Sequence, residues 1–363
     1  MKIFLCECKK MMSFRIFWII FVCLFAINGY VQIDRINDRY YTPESYRSFF
    51  SETKDMSLEE IQDYTNEMLE RQNNGEYIEF PMMLVYDMSE LSKECENYPE
   101  YLNSIKEQTN NMSAVSIWGD SDTFSYRNIQ KTPSAYENLP AEPLPLAASF
   151  GLENTFTSPI TDFMGIFLVF LAVCGIILKD REHGITFLLS SMPKGRSSLI
   201  LSKLFAVSLF ASFVAVMLFA ENLVIGGALY GIGELQRPIQ SVFGFYQCNL
   251  AVSVGEFLLL FFILKIASYL LFAMIFSLIC TVSRNNLMIY GISGAVCTIA
   301  FLCYRLIPQN SVFQLFHDWN PIKFTQTAEI LGTYQNVNLF GYPVSLKISM
   351  IIIIVITIVS VIL

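Results

Sequence analysis

FMGIFLVFLAVCGIIL, residues 163–178, runs for sixteen positions without a charge and is closed by Lys179-Asp180-Arg181-Glu182. As a helix rising about 1.5 Å per residue it reaches about 24 Å, and its flanks extend it to the roughly 30 Å of hydrocarbon that a membrane span must cross. Five further stretches are of the same kind: 16–27, 204–220, 266–282, 287–304 and 348–363, with apolar cores of 12 to 18 residues. The spacing therefore predicts an all-α polytopic membrane protein with six transmembrane helices.

Composition agrees. Hydrophobic residues make up 53% of the 363 and charged residues only 15%, with mean hydropathy +0.45; soluble domains carry about 25% charged residues. The net charge of −8 hides a division. Residues 31–158 hold 23 acidic and 9 basic side chains, a balance of −14, while the rest hold 9 acidic and 15 basic, a balance of +6. The chain thus divides into residues 1–30 (N-terminal segment and first span), an acidic insertion at 31–158, and a membrane part at 159–363.

Lys2, Lys9, Lys10 and Arg15 ahead of the first run resemble a signal peptide, but Asn28-Gly29-Tyr30 offers no small-x-small cleavage site, which favours a retained helix. The last run is still apolar at Leu363; a chain stopping at the membrane surface and a sequence that continues both fit. Orientation follows from Lys and Arg near the spans. An inner N-terminus puts ten of them inside (Lys2, Lys9, Lys10, Arg15, Lys179, Arg181, Lys194, Arg196, Lys203, Arg284) and five outside (Arg237, Lys265, Arg305, Lys323, Lys347). The expectation is a multi-pass cell-membrane protein with a cytoplasmic N-terminus and 31–158 extracellular.

The insertion reads as mainly helical. Ser57-Leu58-Glu59-Glu60 has the form of an N-cap followed by acidic first-turn residues, Ile61, Tyr64, Met68 and Leu69 recur on one face, and Asn74-Gly75 stops the run. A second helix from Ser89 to about Thr109 must kink or break at Pro99. Residues 133–159, with Pro133, Pro140, Pro143, Pro145 and Pro159, read as an extended connector. Of the nine cysteines, five lie in apolar runs, while Cys95 and Cys248 both fall outside the membrane, where a disulfide is open to them.

Residues 179–196 form the most informative short loop. Ile185, Leu188, Leu189 and Met192 make an i, i+3, i+4, i+7 stripe closed by Pro193, an amphipathic helix suited to a lipid interface or to a groove on a partner. Its pattern E-x-G-x-x-x-x-L-x-S-x-P-x-x-R, carried by Glu182, Gly184, Leu189, Ser191, Pro193 and Arg196, resembles the permease subunits of type-2 (ABC-2) ABC transporters. Asn320-Pro321-Ile322-Lys323-Phe324, leading to residues 334–344, is similar to the outer loop of Gram-positive members; Glu7, Lys9 and Lys10 before the first span, Asn28 at its end, and the large insertion also fit. The resemblance implies a dimer of permease chains, homo- or heteromeric, in which residues 179–196 are the coupling helix docked on a separate cytoplasmic ABC ATPase. It also implies transport, outward in direction, with ATP on the partner subunit and no cofactor in this chain.

No G-x-x-x-x-G-K-[ST] phosphate loop occurs, in keeping with a motor on another polypeptide. His183 and His317, the two histidines, fall on opposite sides of the membrane, which argues against a shared metal or catalytic site. No basic cluster is dense enough for nucleic acid. Among ionisable groups at membrane depth, Glu221 near the outer end of the third span and Lys265 ahead of the fourth are expected to pair, with separate snorkelling to water as the other reading. Residues 251–264, carrying Glu256, read as an outer amphipathic or re-entrant helix before the fourth span. Gly291 and Gly294 permit close helix contact in the fifth, although ordinary packing explains them. The rival of another class is a membrane sensor or receptor whose extracellular domain binds a ligand; it would need a partner's output domain, because the longest inner segment is about 20 residues.

Overall fold

The structure, a computed structural model, describes residues 2–37, 40–115, 122–182, 195–283, 285–308 and 313–362. Five of its helices are long and apolar enough to cross a membrane. They are Arg15–Asn37, the run Pro159–Leu178, Gly195–Tyr230, Val254–Val282 and Asn286–Leu306. The expected sixth span is the shorter helix Leu346–Ile362 of 17 residues, about 26 Å long at the usual rise. A two-stranded hairpin precedes it, so the all-α expectation needs one correction.

Residues 251–264 are not a separate re-entrant helix. Val254–Val282 is one helix of 29 residues, and it starts on a capping box in which Glu256 N–H donates to Ser253 Oγ and Ser253 N–H donates to Glu256. At about 44 Å the helix is longer than the hydrocarbon core. Protein covers the excess: Phe257 and Phe261 pack edge-on to Phe156, and Phe245 closes on both Phe156 and Phe257.

The second, third and fourth spans share the principal core, in which Leu168, Val169, Val207, Ala211, Val214, Phe272 and Phe276 are buried. The first and fifth spans flank it and leave Ile16, Ile19, Val22, Leu287, Ile299 and Phe301 exposed. Lipid tails are as apolar as leucine, so such faces need no protein cover. A Cβ at Gly291 or Gly294 would meet nothing within 4 Å, so these glycines mark no close helix contact among the described residues.

The insertion between the first and second spans folds as helices Pro43–Glu52, Leu58–Asn73, Met82–Glu96, Tyr98–Ala114, Phe124–Ala135 and Phe150–Phe156. Ser57 is the N-cap anticipated there, and with Glu60 it forms a capping box. The expected break comes at Asn97, and Pro99 sits in the first turn of the next helix, where no intrahelical N–H is required. The proposed connector is shorter than expected: Pro133 belongs to the last turn of Phe124–Ala135, and 150–156 is helical. Cys95 and Cys248 are both buried free thiols, so no disulfide joins them.

The domain is built onto the bundle rather than tethered beside it. Tyr46 and Phe150 stack at 4.7 Å, and Tyr230, the last residue of the third span, meets Tyr46 edge-on at 5.2 Å. Below them two backbones touch: a Cβ on Gly226 would lie 2.4 Å from the carbonyl oxygen of Gly151. On the far side the domain grips the hairpin, whose strands Asn336–Leu339 and Tyr342–Ser345 pair antiparallel through a tight turn with Phe340 and Gly341 at φ 51° and 84°. Arg127 donates to Gly341 O and lies 4.3 Å from the Tyr342 ring, Lys131 donates to Pro343 O, and Asn336 donates to Asn128.

Gly226→Val has no room against Gly151. It is expected to cost about 1–3 kcal/mol by overpacking, with a lower thermal unfolding midpoint and new protease sensitivity in the domain, while Gly291→Ala leaves both unchanged.

Candidate functional site

Two ionic clusters mark the ends of the second span. On the N-terminal side, the amphipathic helix Lys2–Met12 lies across the feet of the second and third spans. Lys10 Nζ donates to Glu7 at 2.8 Å and to both oxygens of Asp180 at 2.8 Å, and Lys203 of the third span donates to Asp180 at 2.7 Å. Burial opposes ionisation of Asp180, but the two ammonium groups outweigh it and hold the carboxyl below its usual range. Burial likewise works against the Lys10 ammonium, and the bonds to Asp180 and Glu7 overcome it, so its pKa is raised.

The second span makes room for this contact. Cys174–Leu178 is a π-helical turn, and Gly175 within it receives the N-terminal helix: a Cβ there would meet Phe14 at 2.6 Å and Met11 Sδ at 3.2 Å. Asp180 is the second residue of the expected coupling segment 179–196 and Lys203 follows that segment, so the cluster roots its two ends on the N-terminal helix. Of the coupling residues expected from sequence, Glu182 ends the helical turn Lys179–Glu182 and Arg196 is in the first turn of the third span's helix. Gly184, Ile185, Leu188, Leu189, Met192 and Pro193 lie outside the described residues.

On the domain side, the expected pairing of Glu221 with Lys265 is wrong. Lys265 is 1% exposed and donates to the two oxygens of Asp162 at 2.9 and 3.1 Å and to Thr325 O, with its ammonium 4.3 Å from the Phe219 ring. Tyr269 Oη also reaches Asp162, in space that Gly165 leaves open. Thr325 belongs to the short helix Pro321–Thr325, which packs against the fourth and fifth spans, so the segment after the fifth span folds back to the depth of Lys265. Glu221 instead accepts from Asn28 at 2.9 Å. Asn28 also donates to Asn222 and accepts from Thr161, which meets Ser158, and Gln32 closes the chain onto Ser158. Glu221 lies nine residues before the end of its helix and Lys265 eleven residues into its own, so Lys265 does not sit ahead of its span as depth along the apolar run suggested. Depth could not supply Asp162, which lies one position before the uncharged run used to define the second span.

These features define a multi-pass membrane protein with a helical bundle, a large domain inserted after the first span, and a short charged loop after the second. The family described as ABC-2 family transporter protein matches the chain over residues 1–363, and the chain belongs to that family. It is therefore a membrane component of an ABC transporter. No curated protein and no solved structure matches.

Lys265→Met strands the buried Asp162 carboxylate and is expected to destabilise the protein by about 3–5 kcal/mol, with Asp162→Leu in the same chain recovering most of the loss. Glu221→Gln has little effect on the thermal midpoint; a loss as large as that of Lys265→Met would restore the Glu221 pairing. The cluster at Asp180 has its own pH window. The lowered Asp180 pKa gives stability that is present above about pH 4 and is lost as pH falls through the lowered value. The raised Lys10 pKa gives stability that persists up to about pH 10 and is lost above it. Asp180→Asn should flatten the acid limb of midpoint against pH and leave the region above pH 5 less stable than in the parent protein.

Proposed function

We propose that this chain is the permease subunit of an ABC exporter, with its N-terminus in the cytoplasm, residues 31–158 outside, and Leu346–Ile362 as a sixth span. ATP is bound and hydrolysed by a separate cytoplasmic ATPase that docks on residues 179–196. Two permease chains enclose the path, as the resemblance implies. The Lys and Arg count supports the orientation, and the family supports an ATPase partner.

The observation that carries the coupling reading is the attachment of Asp180 and Lys203 to Lys10. Displacement of the loop between them pulls on the second span, the third span and the N-terminal helix together, because one carboxylate is shared by all three. The ATPase stroke is thereby delivered to the bundle as movement of a rigid corner. The π turn just above interrupts the regular α-helical ladder of the second span, and it is where we expect that span to yield first.

Two variants separate docking from transmission. Leu188→Asp should abolish copurification of the ATPase. Asp180→Asn should keep copurification and reduce stimulation of ATP hydrolysis by the permease at least several-fold. An ATPase that copurifies unchanged with Leu188→Asp and Leu189→Asp rules out docking on this segment.

A further inference from the structure

A cavity of about 610 Å³ lies on the domain side, outside both ionic clusters. One wall is the turn between helices Pro43–Glu52 and Leu58–Asn73, another is the extended connector at 143–148, and the third is residues 233–237 just after the third span. Phe50, Ile61, Leu144 and Leu146 make most of its lining apolar. This size and lining suit a small organic molecule oriented by a few polar groups.

Of the charged side chains at the cavity, Lys54 and Glu234 are exposed and Arg237 is buried. Arg237 is 5% exposed, and its Nη2 donates to Ala148 O at 2.8 Å and Ile232 O at 3.4 Å. Its Nε and Nη1 have no partner among the described residues. Glu234 on the rim is exposed; its charge acts on Arg237 through space without filling the free hydrogen-bonding positions at Nε and Nη1. A guanidinium stays charged under all ordinary conditions, so it cannot escape burial by losing a proton. Gly233, at φ 62°, makes this placement possible: a Cβ there would lie 3.2 Å from the guanidinium carbon and 2.7 Å from Ala148 O. The local backbone is thus shaped to bring an under-bonded positive charge to the base of an apolar cavity, with Lys54 adding a second cation at the wall.

The height of the cavity decides where an occupant comes from. Tyr230 lies nine residues past Glu221 on one helix, about 13 Å further out, whereas the headgroup layer is only about 5–8 Å deep on each side. On the proposed topology, with Glu221 at the outer edge of the hydrocarbon, the cavity opens beyond the lipid headgroups. We propose that it binds a water-borne amphipathic anion, a solute whose single carboxylate-type head lies against Arg237 and whose apolar body of several carbons fills the space beside the connector. Its walls belong to the domain and to the segment that directly follows the third span, so an occupant ties the two together.

The test uses the full chain in phosphatidylcholine nanodiscs, titrated calorimetrically with octanoate, octanamide and octylammonium after subtraction of empty discs. Octanoate should bind at least tenfold more tightly than octanamide, and octylammonium should not bind. Arg237→Gln should weaken octanoate at least tenfold and erase the preference over the amide, and Arg237→Lys should keep part of it. Ala147→Phe fills the cavity while leaving the guanidinium intact; it should abolish binding of both, and it carries the test alone if the Arg237 variants do not fold. Equal binding of acid and amide by the parent chain, or octanoate binding that survives Ala147→Phe, overturns the proposal. So does a phospholipid that native mass spectrometry finds retained by the parent chain and lost from Arg237→Gln, because a bilayer lipid would then own the site.

Discussion

An ammonium group inside an apolar bundle has to be answered by an acid, and the bundle is arranged around the answer that Lys265 finds. The lysine arrives on the fourth span and Asp162 on the first turn of the second, and the carbonyl of Thr325 comes from the segment that folds back after the fifth. Three stretches far apart in sequence are thus fixed at one depth by a single charge. The cost of desolvating that charge keeps them there, because withdrawing any one of the three leaves the others with unmet bonds in a medium that offers no water. Aromatic rings complete the enclosure, with Phe219 and Phe261 lying against the ammonium.

The second span is held by lysines at both ends. Asp162 and Asp180 are eighteen residues apart, about 27 Å of helix, which is close to the thickness of the hydrocarbon layer. Each carboxylate is claimed by a neighbour: Lys265 at one end, Lys10 and Lys203 at the other. The span is a strut with two pinned ends. The aromatic stack and the Gly151–Gly226 contact fix the inserted domain to the third span, which carries one of those pins.

Much of this was legible in the sequence because it follows from local rules. Uncharged runs gave the spans, Ser57 with Glu60 gave a helix start, and Pro99 gave a break. The fourth span's true beginning was also legible, since Ser253-x-x-Glu256 is the same capping pattern, in which the Glu256 charge serves the helix start. Long-range pairing was not legible. Lys265 and Asp162 are 103 residues apart, and several acidic groups lie at comparable depth, so depth alone could not choose among them. The hairpin was hidden for another reason: its strands are four residues each, too short for alternation to stand out, and the domain that supports it lies about 200 positions earlier. Arg237 was counted as a loop charge because nothing in its neighbours announces burial.

The π turn at Cys174–Leu178 carries a consequence for how this chain tolerates insertion and deletion. Such a turn holds one residue more than an α-turn, so everything beyond it is rotated by about 100° relative to the uninterrupted helix. The upper part of the second span is therefore phased to the bundle core, and the lower part is phased separately to the N-terminal helix. Loss of one apolar residue here would leave composition and hydropathy almost untouched, yet it would swing Asp180 a quarter-turn or more away from its lysines. The register of this span, and not its greasiness, is the heritable quantity.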